Sequence, residues 1–535
     1  MKMTQSGTSY DAVVVGAGFS GLYALHKLRD HLGLSVRLFE KGTSVGGTWH
    51  WNRYPGALSD SETYVYAYSF DDDLLQQQDL STRYATQPQV LRYLESVVER
   101  KDLARDIQLD TTVNAARFDE TANQWVISTS TGQTVTSRYL VTGLGPLSAA
   151  NVPEIDGIDT FDGQVIHTSK WPETHDFTGK RVGVVGTGST GVQLITAIAS
   201  EVGELTVFQR TPQYCVPLRN RPLEPQEIAD IRSNYKEIWN SVYNSGLGFG
   251  FVESEIPAMS VSPEQRRAIF EEAWQKGGGF YFMFGTFSDI GTNPEANEEA
   301  AAFIRTKIAE IVDDPETARK LTPTDYYARR PVCDSGYYAT FNRDNVSLVD
   351  VRETPIVKVT PRGVVLSDGA EIGLDVLIFA TGFDAVEGSY RSIDIRGRGG
   401  VKLADHWSEA PRGYLGMTVA GFPNLFTIFG PNSSFCNNPP MISSQVDWIG
   451  RTVGFLERSE HTLIEPTGAA EDRWMRQCED IANQTLFPKV ESWIFGHNVK
   501  GKPTTARFYM GGLSTYRGIL DEVTENGYDG FVLSS

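Results

Sequence analysis

The sequence predicts an α/β protein with two parallel-stranded nucleotide-binding domains and an inserted helical subdomain. Two segments share one order of elements, in which an apolar strand, a glycine-rich turn, an amphipathic helix and a second strand follow each other. They cover residues 10–42 and 179–214. Between about Pro222 and Tyr327 the pattern is helical and rich in charge. This combination is typical of two Rossmann-like dinucleotide-binding domains with a helical insertion.

The bulk composition restricts the class of protein. The 535 residues exceed the roughly 250 to 300 at which a single core stops growing, so two or three domains are expected. A net charge of -19 argues against a nucleic-acid partner, whose phosphates need a basic face. The isolated cysteines and unpaired histidines predict neither a disulfide scaffold nor a metal site. Since no run approaches roughly 20 apolar residues, we expect no membrane partner and a cytoplasmic location.

The first glycine-rich turn has the GxGxxG spacing through Gly16, Gly18 and Gly21. This spacing lets the backbone approach a pyrophosphate, and the N-terminus of the following helix favours its negative charge. Glu40 ends the second strand, where a carboxylate can accept hydrogen bonds from ribose hydroxyls. The first segment therefore predicts an adenine dinucleotide with a free 2'-hydroxyl.

The second turn repeats the spacing through Gly186, Gly188 and Gly191. Arg210 stands at the position that Glu40 occupies in the first segment, and a cation there suits a 2'-phosphate. The second ligand is therefore expected to be NADP(H). Because two nicotinamides cannot usefully reduce each other, the first ligand is expected to be FAD. The sequence predicts a flavin-dependent NADPH oxidoreductase, and a non-enzymatic NADP sensor is the alternative.

Two longer patterns give a family resemblance. The stretch FDGQVIHTSKWP matches FxGxxxHxxxW(P/D) through Phe161, Gly163, His167, Trp171 and Pro172. The stretch GGTWHWNRYPGALSD matches a second signature through Gly46, Gly47, Trp49, Tyr54, Pro55, Gly56 and Asp60. With these patterns the chain resembles the Baeyer-Villiger monooxygenases of the single-component FAD and NADPH type. Within that family it resembles the cyclohexanone monooxygenase group. The resemblance extends from about Tyr10 to the C-terminal GLSTYRGILDEV.

The resemblance implies how the domains divide the chain. It places the FAD domain in residues 1–148 and 380–535, the NADP domain in 149–221 and 333–379, and the helical insertion in 222–332. The fingerprint residues Phe161, Gly163, His167 and Trp171 lie in a stretch whose composition does not indicate a strand. We expect it to be a linker in which His167 and Trp171 transmit domain movement, with simple anchoring as the alternative.

The resemblance also assigns cofactor contacts. For FAD they are Gly16, Gly18, Phe19, Ser20, Gly21, Glu40, Lys41, Gly47, Thr48, Trp49, Asp60, Tyr66 and Gln445. For NADP they are Leu58, Ser59, Asp60, Gly186, Thr187, Gly188, Ser189, Thr190, Gly191, Gln193, Arg210, Thr211, Arg329 and Trp493. Arg329 replaces the lysine that is usual in this group, which keeps the charge but alters the geometry toward the 2'-phosphate.

The implied reaction oxidises a ketone to an ester or lactone with NADPH and O2. Hydride passes from NADPH to FAD, oxygen is captured at the flavin C4a, and the peroxide anion attacks the ketone. Arg330 matches the catalytic arginine, which can stabilise an anion without losing its proton. Asp60 matches the carboxylate that orients this arginine. A flavin N- or S-oxygenase is the alternative, and it typically lacks both of these residues.

Apolar side chains are expected to line the substrate pocket. The predicted lining residues are Pro146, Leu147, Phe249, Phe280, Phe435, Cys436, Asn438 and Phe508. Pro146 and the loop with Ser433, Ser434, Cys436 and Asn438 depart from the group's usual residues, and a buried asparagine would need a hydrogen-bond partner. Cyclic ketones are the expected substrates, linear or bulky ones remain open, and the protein is expected to be a monomer or weak oligomer.

Overall fold

A computed structural model describes residues 8–535 and contains two large β-sheets, which belong to different parts of the chain. The strands are β1 Thr8–Val15, β2 Val36–Phe39, β3 Leu58–Glu62, β4 Tyr84–Thr86, β5 Ile107–Gln108, β6 Val113–Asp119, β7 Gln124–Thr129, β8 Thr134–Thr142, β9 Gln164–His167, β10 Arg181–Val185, β11 Glu204–Gln209, β12 Cys215–Pro217, β13 Val332–Asp334, β14 Val346–Asp350, β15 Ile356–Thr360, β16 Gly363–Leu366, β17 Glu371–Gly373, β18 Val376–Phe379, β19 Asp394–Arg396, β20 Leu425–Thr427, β21 Ser433–Ser434, β22 Leu463–Pro466, β23 Phe508–Tyr509 and β24 Phe531–Ser534.

In chain order the helices lie between these strands. They are α1 Phe19–His26, α2 Thr48–Trp51, α3 Asp72–Gln76, α4 Gln87–Arg100, α5 Ser189–Ile198, α6 Pro225–Ser233, α7 Tyr235–Asn244, α8 Pro263–Lys276, α9 Pro294–Ile311, α10 Pro315–Leu321, α11 Tyr337–Thr340, α12 Leu403–His406, α13 Asn438–Arg458, α14 Gly468–Asn483 and α15 Leu513–Glu525. No helix in residues 8–535 is long and apolar enough to cross a membrane.

The first sheet combines both ends of the chain. Its strand order is β19-β6-β7-β8-β1-β2-β5, with β20 beside β8. The central strand β1 runs parallel to β2 and β8, and it is apolar on both faces because Val13 packs in one buried cluster and Val14 in another. Since β19 and β20 come from the second half of the chain, this sheet is complete only when that half has returned to it.

The second sheet is parallel throughout and has the order β14-β11-β10-β18-β9. Its edge strand β9 contains His167, which pairs with Phe379 of β18. The expectation from composition that this stretch holds no strand is therefore wrong, while its role as a linker stays a prediction. Gln164–His167 is too short for an alternating pattern to be recognised, and its pairing with β18 exists only in the folded chain.

Two helices of the insertion, α8 and α9, share a core with the second sheet. A short parallel pair, β12 with β13, connects the chain before the insertion to the chain after it. Phe270 of α8 and Ile304 of α9 belong to the same buried cluster as Val184 of β10. These two helices are therefore packed with this half of the molecule, whereas Trp239 of α7 belongs to a cluster with Val65 from the first part of the chain; the boundaries at residues 222 and 332 stay predictions.

Gly163→Ala is expected to destabilise the protein. A Cβ at this position would lie 2.4 Å from the Asp375 carbonyl oxygen and 2.6 Å from the Phe161 ring, so the backbone at the start of β9 has to shift. Overpacking of this kind costs about 1–3 kcal/mol. The thermal midpoint of unfolding measures the effect.

Gly518→Ala is the matched control. Gly518 lies within α15, and a Cβ there meets no atom within 4 Å, so alanine should leave the midpoint unchanged or raise it. An unchanged midpoint for Gly163→Ala would contradict the close approach of β9 to Asp375.

Candidate cofactor and active site

The first glycine turn lies between β1 and α1 and is too crowded for larger side chains. Gly16 has φ +99°, and a Cβ on it would lie 2.6 Å from the Gly143 carbonyl oxygen at the end of β8. A Cβ on Gly21 would lie 1.7 Å from the Gly16 carbonyl oxygen. These contacts hold the turn flat against the sheet, as the approach of a pyrophosphate to the N-terminus of α1 requires. Phe19, Ser20 and Gly21 form the first turn of this helix.

Glu40 fixes the shape of the same turn. Its buried carboxylate accepts hydrogen bonds from the backbone N–H of Ala17 and of Gly42, each at 2.7 Å. Each oxygen has a further lone pair, so the carboxylate can also accept from a ribose hydroxyl as predicted. The neighbouring Lys41 lies with its ammonium 5.2 Å from the centre of the Trp51 ring.

The other residues predicted to contact FAD lie near this turn and on α13. A Cβ on Gly18 would be 3.4 Å from Cα of Gly47, which directly precedes α2 with Thr48 and Trp49. Trp49 donates from its indole N–H to the Tyr66 hydroxyl at 3.3 Å. Gln445 is fully buried, donates to Ser433 and Tyr516 and accepts from the backbone of Phe429. Its side chain supports the loop, so a direct FAD contact stays a prediction.

The second glycine turn, between β10 and α5, has the same geometry. Gly186 has φ +110°, and a Cβ on it would lie 2.5 Å from the Ala380 carbonyl oxygen after β18. A Cβ on Gly191 would lie 2.2 Å from the Gly186 carbonyl oxygen, whereas one on Gly188 would meet nothing within 4 Å. One side of the turn is therefore open beside the N-terminus of α5, a geometry that fits a dinucleotide phosphate.

Three arginines are relevant to the 2'-phosphate. Arg210 is exposed directly after β11. Arg352, which the sequence did not single out, donates to the Thr211 hydroxyl at 3.0 Å. Arg329 instead pairs with Asp325 and donates to the Glu491 carbonyl at 2.9 Å. The structure thus engages Arg329 elsewhere and brings Arg352 beside Thr211. Arg352 could have been found from the sequence because it comes just after β14, and β14 pairs with β11, the strand that Arg210 follows.

Arg330 and Asp60 form an ion pair between the two glycine turns. Nη2 of Arg330 lies 2.7 Å from Oδ2 of Asp60, and the Asp60 side chain is 5% exposed. Nη1 of Arg330 donates to the Ser189 hydroxyl at 3.0 Å, at the first residue of α5. Burial alone would lower the pKa of Arg330, but the charge and hydrogen bond of Asp60 raise it above its ordinary value. Oδ1 of Asp60 is buried without a hydrogen-bond partner, so an acceptor remains available there.

The segment that carries Asp60 is attached to α5. The Tyr54 hydroxyl donates to the Gln193 side chain at 2.8 Å, and the Gln193 amide donates to the Leu58 carbonyl at 3.2 Å. A Cβ on Gly56 would lie 2.6 Å from the Gln193 carbonyl oxygen, so glycine permits this approach. Gln193 and Leu58, both predicted to contact NADP, therefore connect the two nucleotide-binding halves. Thr190 is 3.4 Å from the Tyr54 hydroxyl, whereas the Ser59 hydroxyl donates to the carbonyl of Ser61.

The predicted pocket residues form two aromatic groups. Phe249 and Phe280 are stacked with ring centres 4.2 Å apart, and the Arg330 guanidinium lies 5.3 Å from the Phe280 ring. The centre of the Phe508 ring lies 5.7 Å from that of Phe435 and 5.8 Å from that of Trp493. Leu147 packs beside the same core cluster, and the Pro146 carbonyl accepts from the backbone of Val386. Phe249 and Phe280 therefore supply an apolar wall beside the ion pair.

The loop before α13 differs from the expectation at one residue. Asn438 is exposed, and the expectation of a buried asparagine at this position is wrong. Asn437 is buried instead and donates to the carbonyls of Val65 and Gly248. Asn438 is the first residue of α13, where consecutive side chains are about 100° apart around the axis, so it and Asn437 have different surroundings. Burial raises the pKa of the neighbouring Cys436 thiol to about 12, so this cysteine stays protonated near neutral pH.

The fingerprint residues lie on and around β9, the edge strand of the second sheet. His167 is buried, its Nδ1 lies 2.8 Å from the Ser169 hydroxyl, and its Nε2 lies near the Gly382 backbone without a well-formed hydrogen bond. Burial lowers the pKa of His167, which keeps the ring neutral near pH 7. Trp171 is buried against Phe177 and donates to His175. His167 therefore lies at the return between the two halves, outside the group around Arg330.

Comparison with known proteins identifies the family. Residues 13–242 match the pyridine nucleotide-disulphide oxidoreductase family. A Baeyer-Villiger monooxygenase of Pseudooceanicola batsensis is 54% identical over 98% of this chain and 96% of that protein. The chain belongs to the Baeyer-Villiger monooxygenases. A phenazine N-monooxygenase of Lysobacter antibioticus is also similar, at 53% identity over 99% of this chain and 98% of that protein.

Solved structures of Baeyer-Villiger monooxygenases share the whole fold. Cyclohexanone monooxygenase from Rhodococcus sp. Phi1, solved with NADP+, has a TM-score of 0.98 at 56% identity and covers 99% of this chain and 100% of that one. A relative solved in complex with FAD and NADP has a TM-score of 0.94 at 40% identity. The match covers 99% of this chain and 100% of that one. The predicted fold class and family resemblance are therefore confirmed.

Arg210→Gln and Arg352→Gln are each expected to weaken NADPH binding by about 10-fold or more, because a charge-assisted hydrogen bond contributes about 1.5–3 kcal/mol. NADH, which lacks the 2'-phosphate, should bind as before. The dissociation constants of both nucleotides for the oxidised protein measure this difference.

Arg362→Gln serves as the control, since this arginine is 81% exposed on the separate three-stranded sheet and pairs with Glu371. Equal losses of NADPH and NADH affinity in the Arg210 and Arg352 variants would contradict a role toward the 2'-phosphate.

Proposed function

We propose that this protein uses NADPH and O2 to convert ketones, cyclic ones foremost, into esters or lactones. The observation that carries the proposal is the ion pair of Arg330 with the buried Asp60, which lies between two dinucleotide turns and beside the Phe249 and Phe280 rings. The first turn would hold FAD through Glu40 and the N-terminus of α1. The second would hold NADP(H) through α5 and Arg210. The bound flavin would supply hydride acceptance and the reaction with O2.

Arg330 is the residue suited to stabilise the negative charge that develops on oxygen during transfer. A guanidinium remains protonated at any physiological pH, and Asp60 raises its pKa further. It can therefore donate hydrogen bonds to an anionic oxygen without neutralising it by proton transfer. A lysine at this position would be less suitable, because burial shifts the pKa of an ammonium downward more readily.

Asp60 positions this guanidinium. Its Oδ2 accepts from Nη2 of Arg330 while Ser189 accepts from Nη1, so the plane of the side chain is defined by two partners. An uncompensated buried cation would be costly, and Asp60 compensates it. Since Ser189 belongs to the helix of the second turn, binding of a dinucleotide there would act directly on the orientation of Arg330.

Aromatic side chains provide apolar surface beside the ion pair. Phe280 lies next to the Arg330 guanidinium and stacks with Phe249, and both rings are less than 9% exposed. Hydrogen bonds from a guanidinium to an anion are stronger in such surroundings than in water. The same walls offer an apolar surface to the carbon skeleton of a ketone.

N-oxygenation of an aromatic heterocycle is the second candidate function. The 53% identity with the phenazine N-monooxygenase supports it. Both reactions need a dry, aromatic site, but a nitrogen lone pair is itself the nucleophile, so it has no need of an anion held by Arg330. The Arg330–Asp60 pair therefore favours the ketone reaction.

Arg330→Ala is expected to lower the rate of ester formation by at least about 10²- to 10³-fold, the usual effect of removing one donor to a developing oxyanion. Oxidation of NADPH under anaerobic conditions should remain within a few-fold of the unaltered protein. Arg329→Ala provides the matched neighbour, because that arginine pairs with Asp325 and not with Asp60. Undiminished ester formation by the Arg330 variant would refute the assignment.

The two candidate functions are separated by product analysis. The protein is incubated with NADPH, air and a panel of cyclic ketones, linear ketones and phenazines, and product masses are measured for one added oxygen. We expect esters or lactones from the ketones with matching NADPH consumption. Exclusive formation of N-oxides would overturn the proposal in favour of the second function.

A further inference from the structure

A cavity of about 380 Å³ lies beside the predicted substrate pocket, between β3, β4 and the chain on either side of α8. Asp60, whose side chain is 5% exposed, and Val252, which is 79% exposed, both line it, so the cavity extends from a buried residue to the surface. Phe249 and Phe280 line it as well, so these two stacked rings border both the cavity and the site around Arg330. The cavity is therefore continuous with the proposed reaction site and leads away from it toward the surface.

Aromatic rings continue along the cavity wall beyond Phe249. Phe251 lies parallel to Phe249 at 6.1 Å, and Tyr281 meets Phe251 edge-on at 5.5 Å. The ammonium of Lys276 lies 3.5 Å from the centre of the Tyr281 ring. A chain of rings thus connects the guanidinium of Arg330 to the ammonium of Lys276 and offers apolar contact along the whole distance.

Among the described residues that line the cavity, two cations balance two anions, and Lys276 is the cation that no carboxylate pairs with. The Asp60 carboxylate is paired with Arg330, and the Glu62 carboxylate is paired with Arg83 at 2.7 Å. Lys276 lies over an aromatic ring instead, and it has no ion-pair partner within residues 8–535. A cation on the face of a ring keeps its remaining N–H groups available to an anion.

Hydroxyl groups and a fixed backbone complete the wall. Tyr64 and Tyr84 both line the cavity, and burial raises the pKa of each phenol well above its ordinary value, so both remain hydrogen-bond donors. A Cβ on Gly278 would lie 2.8 Å from the Tyr84 hydroxyl. Arg83 donates to the Lys276 carbonyl at 2.6 Å, which fixes the end of α8 against β4.

We propose that this cavity is an annex of the reaction site that accepts the anionic tail of a keto acid, with Lys276 as the residue that selects for a carboxylate. The proposal rests on the ketone oxygenation proposed above. The ketone carbonyl would lie near Arg330, the hydrocarbon chain would follow Phe249 and Phe251, and the carboxylate would reach Lys276. Unsubstituted ketones would leave the annex unused, so Lys276 would not affect them.

The test compares ω-(2-oxocyclohexyl)alkanoates, from the acetate to the hexanoate, with their methyl esters and with cyclohexanone. For the acid of best-fitting length, Lys276→Gln should raise KM about three- to fivefold, as expected for one partly exposed ion pair. The kcat, the KM of the ester and the KM of cyclohexanone should stay unchanged. Added salt should weaken the acid preference of the unaltered protein, because it screens an exposed charge.

Lys358→Gln, on the separate strand β15, is the matched control for a lost surface charge and should change none of these values. Binding of each acid to the oxidised protein, followed by the flavin absorption change without NADPH, provides a measurement independent of turnover. Loss of acid binding in Lys276→Gln is expected there too. If the acid and its ester respond equally to Lys276→Gln, the proposal is overturned.

Val252→Trp tests the cavity itself. The side chain of Val252 is 79% exposed at the mouth, so tryptophan should fill the annex without disturbing the core. We expect lower kcat/KM for the long acids and esters and an unchanged value for cyclohexanone. An equal loss for cyclohexanone, or no loss for any substrate, would overturn the annex. Failure of the unaltered protein to oxygenate any ketone would instead refute the proposed function.

Discussion

The ion pair of Arg330 with Asp60 is the interaction on which the arrangement of the site depends. It joins three segments that are distant in sequence, since Asp60 lies on β3, Ser189 begins α5 and Arg330 lies between α10 and β13. A guanidinium and a carboxylate withdrawn from water are tolerated only when each compensates the other. The two nucleotide-binding halves and the insertion therefore have to meet at this point for any of the three residues to be satisfied.

A second constraint is shared by both glycine turns. In each half the first glycine of the turn lies against a carbonyl at the end of the neighbouring parallel strand, Gly143 in one case and Ala380 in the other. The same geometry thus brings the N-termini of α1 and α5 to the carboxyl ends of their sheets, where ligands of such folds bind. The first turn packs against Gly143 after β8, whereas the second needs Ala380 after β18, which returns only from beyond the insertion, so the second turn is complete only when that distant part of the chain has returned.

The aromatic side chains of the predicted pocket form two regions. Phe435, Phe508 and Trp493 contact one another, whereas Phe249 and Phe280 stack together beside Arg330 and the annex. The first region is apolar, whereas the second ends in charged side chains at the surface. A ketone with one apolar and one polar end has complementary surroundings in such a site, because the carbonyl is fixed near Arg330 while the remainder can extend toward Lys276.

The sequence by itself determined the two dinucleotide turns, the fold class, the family and the roles proposed for Arg330 and Asp60. These features depend on local patterns, such as glycine spacing between a strand and a helix, that can be recognised in a linear chain. Tertiary structure decided that His167 belongs to an edge strand, that Arg329 is held by Asp325 while Arg352 reaches Thr211, and that Asn437 is buried in place of Asn438. It also placed Lys276 at the end of the cavity. Such contacts join residues far apart in the chain, and their geometry exists only once the sheets and the insertion have packed together.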